Sequence, residues 1–355
     1  MFEEYSATNL PDLKNLTAPN FDKIQEGEKG WVDRESIRGI GVLTSGGDAP
    51  GMNAAIRGIV RCGLKAGYRV VGITRGFHGL WKGEITELNS RVVSEKLQCG
   101  GTFLMTARSK SFTEPEGVVK AAKMCEVFGI DALVVIGGDG SYRGARDLAR
   151  IGFPVIGLPG TIDNDIACTD YTIGYDTAMN TAMEAIDKLR DTASSHERCS
   201  VIEVMGRKAG YIALNVGIAT GAEVVLIPEQ PFDFHRDVIR SLLECRNNKK
   251  RHYIVVVAEG AGKAEDIAVR IEAETGIESR PTTLGHLQRG GSPTERDRTM
   301  ASLMASHAIH CIREGRLNRV VVWKEGKIGD MDIEEALTME KTISVDEIKE
   351  ARLFI

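Results

Sequence analysis

Residues 130–141 read IDALVVIGGDGS, and residues 153–166 read FPVIGLPGTIDNDI. Each stretch holds an apolar run, Ala132 to Ile136 and Pro154 to Leu158, that stops abruptly in glycine and acid. Unbroken Val/Ile/Leu runs of this length suit strands covered on both faces of a parallel sheet. In such sheets ligands bind beyond the carboxyl ends of the strands. Gly137, Gly138, Asp139, Gly140 and Ser141 are therefore expected at one strand tip, with Thr161, Asp163 and Asp165 at a nearby one. Three acids, two hydroxyls and several bare backbone amides in one cleft suit magnesium, phosphate and a proton to be removed.

Outward from these stretches the pattern alternates. Strands are expected at 39–45, 69–74, 200–204, 223–229, 253–258 and 319–323, and within 281–293. Helices are expected over 53–66, 141–150, 176–189, 235–246, 264–275 and 294–313, and a helical tail over 344–355 whose apolar end docks. GFHGLWKG (76–83) reads as a loop. Alternation of this kind implies parallel sheets built from βαβ units. A chain of 355 residues exceeds one typical domain, so the expected architecture is two stacked, Rossmann-like α/β lobes with a cleft between them. Residues 1–36 are polar and aperiodic and read as an extension, packed on the surface through Phe21 and Trp31.

Composition excludes several classes. A net charge of −5 argues against nucleic acid as the main partner, which calls for a basic face. No run of about 18 apolar residues predicts a membrane span, and the first residues lack a basic-then-apolar leader pattern. The seven cysteines are odd in number, scattered and never CxxC, which fits free thiols in a reducing cytoplasm.

The motifs differ in weight. SGGDAPG (45–51) between a strand and a helix suits a phosphate cradle, but alone it reads equally well as a plain turn. No GxGxxG or GxxxxGK[ST] occurs, so neither a dinucleotide fingerprint nor a P-loop is supported. IGGDGS is stronger, because its glycines leave room for phosphate and Asp139 offers Mg²⁺ an oxygen. PGTIDND is the most chemical stretch. On an extended segment Asp163 and Asp165 share a side, so one can act as base while the other orients partners. Arg108, Arg198, Arg207, Arg280, His286 and Arg289 fall in loops or at strand ends, where arginine forks bind phosphate. His307 and His310 are three apart on a helix and read as a helix face rather than a metal pair, since no third ligand is evident.

Taken together, SGGDAPGMNAAIRG (45–58), GGTFL (100–104), DALVVIGGDGS (131–141), GLPGTIDNDI (157–166), DYTIGYDTA (170–178), VIEVMGRKAG (201–210), Pro228–Glu229 and GHLQRGGSP (285–293) closely resemble the 6-phosphofructokinases, nearest their bacterial ATP-dependent branch. The likeness runs from about Gly39 to the end, in the family's order. It implies transfer of the γ-phosphoryl of MgATP to the 1-hydroxyl of fructose 6-phosphate, a step of glycolysis. It implies Asp163 as general base, with Asp165 and Arg207 beside it in catalysis, and Asp139 as the magnesium ligand. Gly47, Arg108, Ser109, Gly138, Gly140 and Ser141 match nucleotide and phosphate contacts. Thr161, Ile162, Met205, Gly206, Arg207, Glu259, His286 and Arg289 match sugar-phosphate contacts. Arg198 and Arg280 match arginines that reach in from a neighbouring subunit, which implies a homotetramer.

The resemblance also divides the chain into a larger ATP-binding lobe (37–174 and 288–338) and a smaller sugar-phosphate lobe (175–287 and 339–355). Arg57, Arg61, Arg190, Glu223 and Lys250 match an effector site for ADP or phosphoenolpyruvate. There the chain departs from the family, with Ser90 and Asn248 where basic residues are expected and Arg91 one place along. Pyrophosphate-using relatives typically carry Asp where Gly140 stands and Lys where Gly160 stands. Glycine at both sites implies ATP as donor, with the pyrophosphate enzyme as the alternative. Lipid and NAD kinases share only the GGDG motif.

Overall fold

A computed structural model describes residues 37–355; the extension over residues 1–36, with Phe21 and Trp31, lies outside the described residues. The described chain groups into two compact units, one of residues 37–161, Ile166–Ile173 and Ser292–Met339, the other of Ile162–Asp165, Gly174–Gly291 and Glu340–Ile355. In chain order the strands are β1 Gly39–Thr44, β2 Arg69–Ile73, β3 Ile85–Glu87, β4 Ala132–Gly137, β5 Val155–Pro159, β6 Cys199–Val204, β7 Val224–Leu226, β8 Tyr253–Ala258, β9 Ser279–Thr283, β10 Arg319–Lys324 and β11 Lys327–Asp332.

The first unit holds a seven-stranded sheet in the order β11-β10-β5-β4-β1-β2-β3. Its five inner strands run parallel, and the two edges, β11 and β3, run antiparallel to their neighbours. Every residue of β1, β4 and β5 is buried, as expected of strands covered on both faces. Leu43, Leu133, Val135 and Val155 share a core with Met124, Tyr142 and Leu148 from the helices Pro115–Val127 and Asp139–Arg150. Full burial of each large apolar side chain favours the fold by about 1.5–3 kcal/mol.

The second unit holds a wholly parallel four-stranded sheet in the order β7-β8-β6-β9. Val201, Leu226, Val255 and Val257 pack there with Phe234, Leu242 and Ile271. The α/β class with mainly parallel sheets is as expected.

Several local readings need correction. GFHGLWKG is a helix, Gly76–Lys82, not a loop. Phe77 and Leu80, one turn apart, are buried, and a Cβ at Gly79 would lie 1.6 Å from the Thr74 carbonyl oxygen. The glycine that suggested a loop is there for close packing. The helix expected to end at Leu189 runs Tyr175–His196, because Ala193 is buried beneath its polar end. The tail forms a capped helix, Val345–Ala351, with Ser344 and Glu347 exchanging the two bonds of a capping box. Leu353 and Phe354 beyond it stay exposed rather than docked.

Candidate active site

In the first unit, three strand tips lie side by side. The Ser45 amide donates to the Ile136 carbonyl at 2.9 Å, and the Gly160 amide to Gly137 at 3.1 Å. Gly47 therefore follows β1, Gly138 to Ser141 follow β4, and Thr161 follows β5, all on one edge. A Cβ on Gly138 would stand 3.8 Å from that of Thr161. Asp139 is half-buried in the first turn of its helix, and exposed Gly140 faces open space. The buried Ser141 hydroxyl makes no hydrogen bond among the described residues. Bare amides, an orphaned hydroxyl and one carboxylate are the donor set that a Mg²⁺–phosphate group requires.

The loop carrying GGTFL is tied to the same edge. Asn53 donates to the carbonyls of Cys99 and Gly100 at 3.1 and 3.0 Å and accepts the Phe103 amide at 2.8 Å. The Thr44 hydroxyl bonds to the Met105 carbonyl at 3.0 Å. Exposed Arg108 and half-buried Ser109 follow in the loop leading to the next helix.

In the second unit, the tips of β6 and β8 meet, with the Glu259 amide donating to the Val204 carbonyl at 2.9 Å. Glu259 Oε1 then accepts the amides of Gly206 and Arg207 at 3.2 and 2.6 Å. This folds the Met205–Gly206–Arg207 turn through φ values of +146° at Gly206 and +59° at Arg207. From the end of β9, the turn Gly285–Arg289 brings His286 and Arg289. The segment Ile162–Asp165 joins this group. Asp165 Oδ2 lies 3.8 Å from Arg207 Nη1.

Asp163 does not share a side with Asp165 through an extended segment, as the sequence suggested. Asn164 between them is left-handed, with φ +51°, and breaks the pleat. The two acids are coupled through space. Burial raises the Asp163 carboxyl, Asp165 and Glu259 push it the same way, and Arg289 and Arg207 oppose them, leaving it at about 6. Burial also raises Asp165, against Arg207, its own backbone amide and Lys341. A buried carboxylate that ionises near 6 and faces arginines is a stronger base than an ordinary aspartate and is still deprotonated at pH 7.

The phosphofructokinase family profile matches residues 39–312. The chain belongs to the phosphofructokinase family. It is 56% identical over 304 residues to a Clostridium tetani protein named ATP-dependent 6-phosphofructokinase, covering 86% of this chain and 95% of that one. The solved phosphofructokinase of Saccharomyces cerevisiae matches 84% of this chain with TM-score 0.80 and 36% identity, and the present chain spans 45% of its length. A pyrophosphate-dependent phosphofructokinase from Marinobacter aquaeolei matches 87% of this chain and 86% of its own with TM-score 0.79, and at 22% identity this likeness shows the fold alone.

Not every residue singled out from this phosphofructokinase sequence joins these tips. Arg198 and Arg280 lie at the opposite end of the second sheet, where Ser200 pairs with Arg280, and both ion-pair with Glu278. The six residues of β6, Cys199–Val204, separate Arg198 from Met205, roughly 20 Å at the strand rise. Glu223 ion-pairs with Lys250 and accepts the Ile254 amide at 2.5 Å, and Arg190 donates to the Thr220 carbonyl. Burial and then Arg190 lower the Lys250 ammonium's value, so these groups are close. Arg57 and Arg61 lie four apart on the helix Met52–Lys65 of the first unit.

His307 has the further neighbours that the sequence hid. It shares a cluster with Cys311 and Asp330. Its Nε2 lies 2.8 Å from Asp330 Oδ2, while Arg316 and Arg319 take both oxygens of the same carboxylate. That makes the cluster an ion-pair hub. His310 pairs with Glu314 at 3.0 Å instead.

Three residues at the acidic site were not singled out by the sequence: Asn164, Gln288 and Lys341. Fully buried Gln288 accepts the Met205 amide at 2.8 Å through Oε1. Lys341 donates to the Asn164 carbonyl at 2.8 Å. Both act on backbone groups distant in sequence, which no local motif marks.

Proposed function

We propose that this chain transfers the γ-phosphoryl of ATP to the 1-hydroxyl of fructose 6-phosphate, giving fructose 1,6-bisphosphate and ADP in glycolysis. The observation that carries this reading is Asp163: a buried carboxylate, raised to about 6, set among Arg207, Arg289 and Glu259 in a chain 56% identical to an ATP-dependent 6-phosphofructokinase.

On this reading, Gly47, Arg108, Ser109, Gly138, Gly140 and Ser141 take the phosphates of ATP. Asp139 would hold Mg²⁺, which when bound would neutralise charge on those phosphates. Met205, Gly206, Glu259, His286 and Arg289 take the sugar phosphate, together with Thr161 and Ile162. Asp163 removes the hydroxyl proton as the oxygen bonds to the γ-phosphorus and the bond to the β-bridging oxygen breaks, so ADP leaves with the electron pair. Arg207 stabilises charge on the transferring group, and Asp165 holds Arg207 in place. The transition state is loose, so positioning and charge neutralisation dominate, with the base contributing about 10²- to 10⁴-fold.

Arg198 and Arg280 lie away from Arg207 in their own chain, which supports their service to a neighbouring copy in a homotetramer. Arg57, Arg61, Arg190, Glu223 and Lys250 match the family's effector site for ADP or phosphoenolpyruvate, which lies between subunits. The reading places the enzyme in the cytoplasm, with glycolysis. No helix among the described residues is long and apolar enough to cross a membrane. Incubation with MgATP and fructose 6-phosphate, followed by ADP and bisphosphate measurement, tests the reading. Turnover with pyrophosphate and none with ATP overturns it.

A further inference from the structure

We infer that Lys341 is a positioning residue that reaches in from the C-terminal segment and fixes the Asp163–Asn164–Asp165 turn by its hold on the Asn164 carbonyl. The inference rests on Asp163 being the base. Lys341 lies 177 residues from Asn164 in sequence, yet both belong to the second unit. Its Nζ donates to the Asn164 carbonyl at 2.8 Å. The carbonyl it grips belongs to a left-handed, non-glycine residue with φ +51°. Such a conformation costs on the order of 1 kcal/mol or more and persists only where surrounding groups hold it.

The ammonium is itself held on a second side. It lies 4.8 Å from the centre of the Tyr211 ring, a cation–π distance. Tyr211 opens the helix Tyr211–Thr220, and its carbonyl accepts the Tyr175 hydroxyl at 3.2 Å and the Asn215 side-chain Nδ2 at 2.9 Å. Lys341 thus bridges a hydrogen-bonded helix start and the left-handed centre of the acidic turn. A solvated surface charge requires neither contact. The charged groups facing the turn are Arg207, Arg289 and Glu259, with Glu229 and Glu347 facing Tyr211. Among them Lys341 is a cation that favours ionised Asp165.

Lys341 stands against the turn that carries the base, so its loss acts on the chemical step. A misplacement of about 1 Å costs on the order of 10²-fold. Lys341→Met keeps the aliphatic stem and removes donor and charge, whereas Lys341→Arg keeps both. In the full chain, Lys341→Met is expected to lower kcat by about 10- to 100-fold, with little change in KM for fructose 6-phosphate or ATP. Lys341→Arg recovers most of kcat. Thermal midpoints of both variants are measured alongside.

Unchanged kcat in Lys341→Met overturns the inference, as does a kcat loss that merely tracks a fallen melting midpoint or that Lys341→Arg fails to repair. Wild-type enzyme that does not turn over fructose 6-phosphate with ATP removes the functional reading and this inference together. An active wild type with indifferent variants removes the inference alone.

Discussion

Gln288 Oε1 accepts the Met205 amide at 2.8 Å, so a wholly buried side chain joins the turn carrying His286 and Arg289 to the turn carrying Arg207. Gln288→Leu leaves that amide unpaired in the interior. Such a loss costs about 1–3 kcal/mol. We expect kcat/KM for fructose 6-phosphate to fall by about 5- to 100-fold, expressed mainly as a raised KM, while KM for ATP stays unchanged. Parallel losses in both substrates would count against a local role.

Asp163→Ser should lower kcat far more than it raises KM, because a base matters only as the proton leaves. Single-turnover and steady-state rates of the variant check this; near-normal kcat removes Asp163 from the role.

The same carboxylate makes a second prediction, about stability. Its folded-state value of about 6 lies above the ordinary aspartate value of 3.8. A group raised on folding favours the folded state only while protonated, so its contribution is present below pH 4 and lost as pH rises through 6. Asp163→Asn should therefore stabilise the protein at pH 7.5, by at most about 3 kcal/mol, with the advantage vanishing towards pH 4. Melting midpoints across that range decide it. An advantage that grows on acidification refutes the assignment.

Gly140 bears on the donor. A Cβ there meets nothing within 4 Å, so Gly140→Asp should fold normally while placing a negative charge beside the nucleotide phosphates. At an effective dielectric near 20, like charges about 5 Å apart repel by roughly 3 kcal/mol, so kcat/KM for ATP should drop on the order of 100-fold. Gly160 is different, because a Cβ there would lie 3.0 Å from Ile136 Cγ2 and 3.2 Å from Met52. Gly160→Lys should lower the melting midpoint, which Gly140→Asp leaves unchanged.

For regulation, the pairing of Glu223 with Lys250 beside Arg190 predicts that ADP or phosphoenolpyruvate shifts the fructose 6-phosphate saturation curve. Lys250→Ala should abolish the shift. Curves that overlap in wild type with and without either effector end the proposal.

The sequence revealed those parts of the fold whose side chains see apolar surroundings on every side. β1, β4, β5 and β8 appear as stretches without charge, aliphatic but for glycine and a few end residues, because each is wholly buried. β3 and β11 escaped because edge strands meet water, and KIGDMD holds no aliphatic run. The helix Pro115–Val127 carries a legible signal, Pro at its start and buried Val118, Ala121 and Cys125 along one side. At the site, the motif located Asp163 and Asp165, but pleat geometry mispredicted their relation because one left-handed residue intervenes. Gln288 and Lys341 stayed hidden because each serves a backbone group 83 or 177 residues away.

The pairing of β5 with β10 has a consequence for biosynthesis. Gly157 of β5 waits for Val320 of β10, its hydrogen-bonded neighbour in the finished sheet. Ribosomes add roughly 5–20 residues per second, so this apolar edge stays uncovered for roughly 10–30 s while the intervening chain emerges. Nascent chains of this protein are then exposed to edge-to-edge association, and chaperone capture during that interval should govern its yield more than the stability of the completed fold.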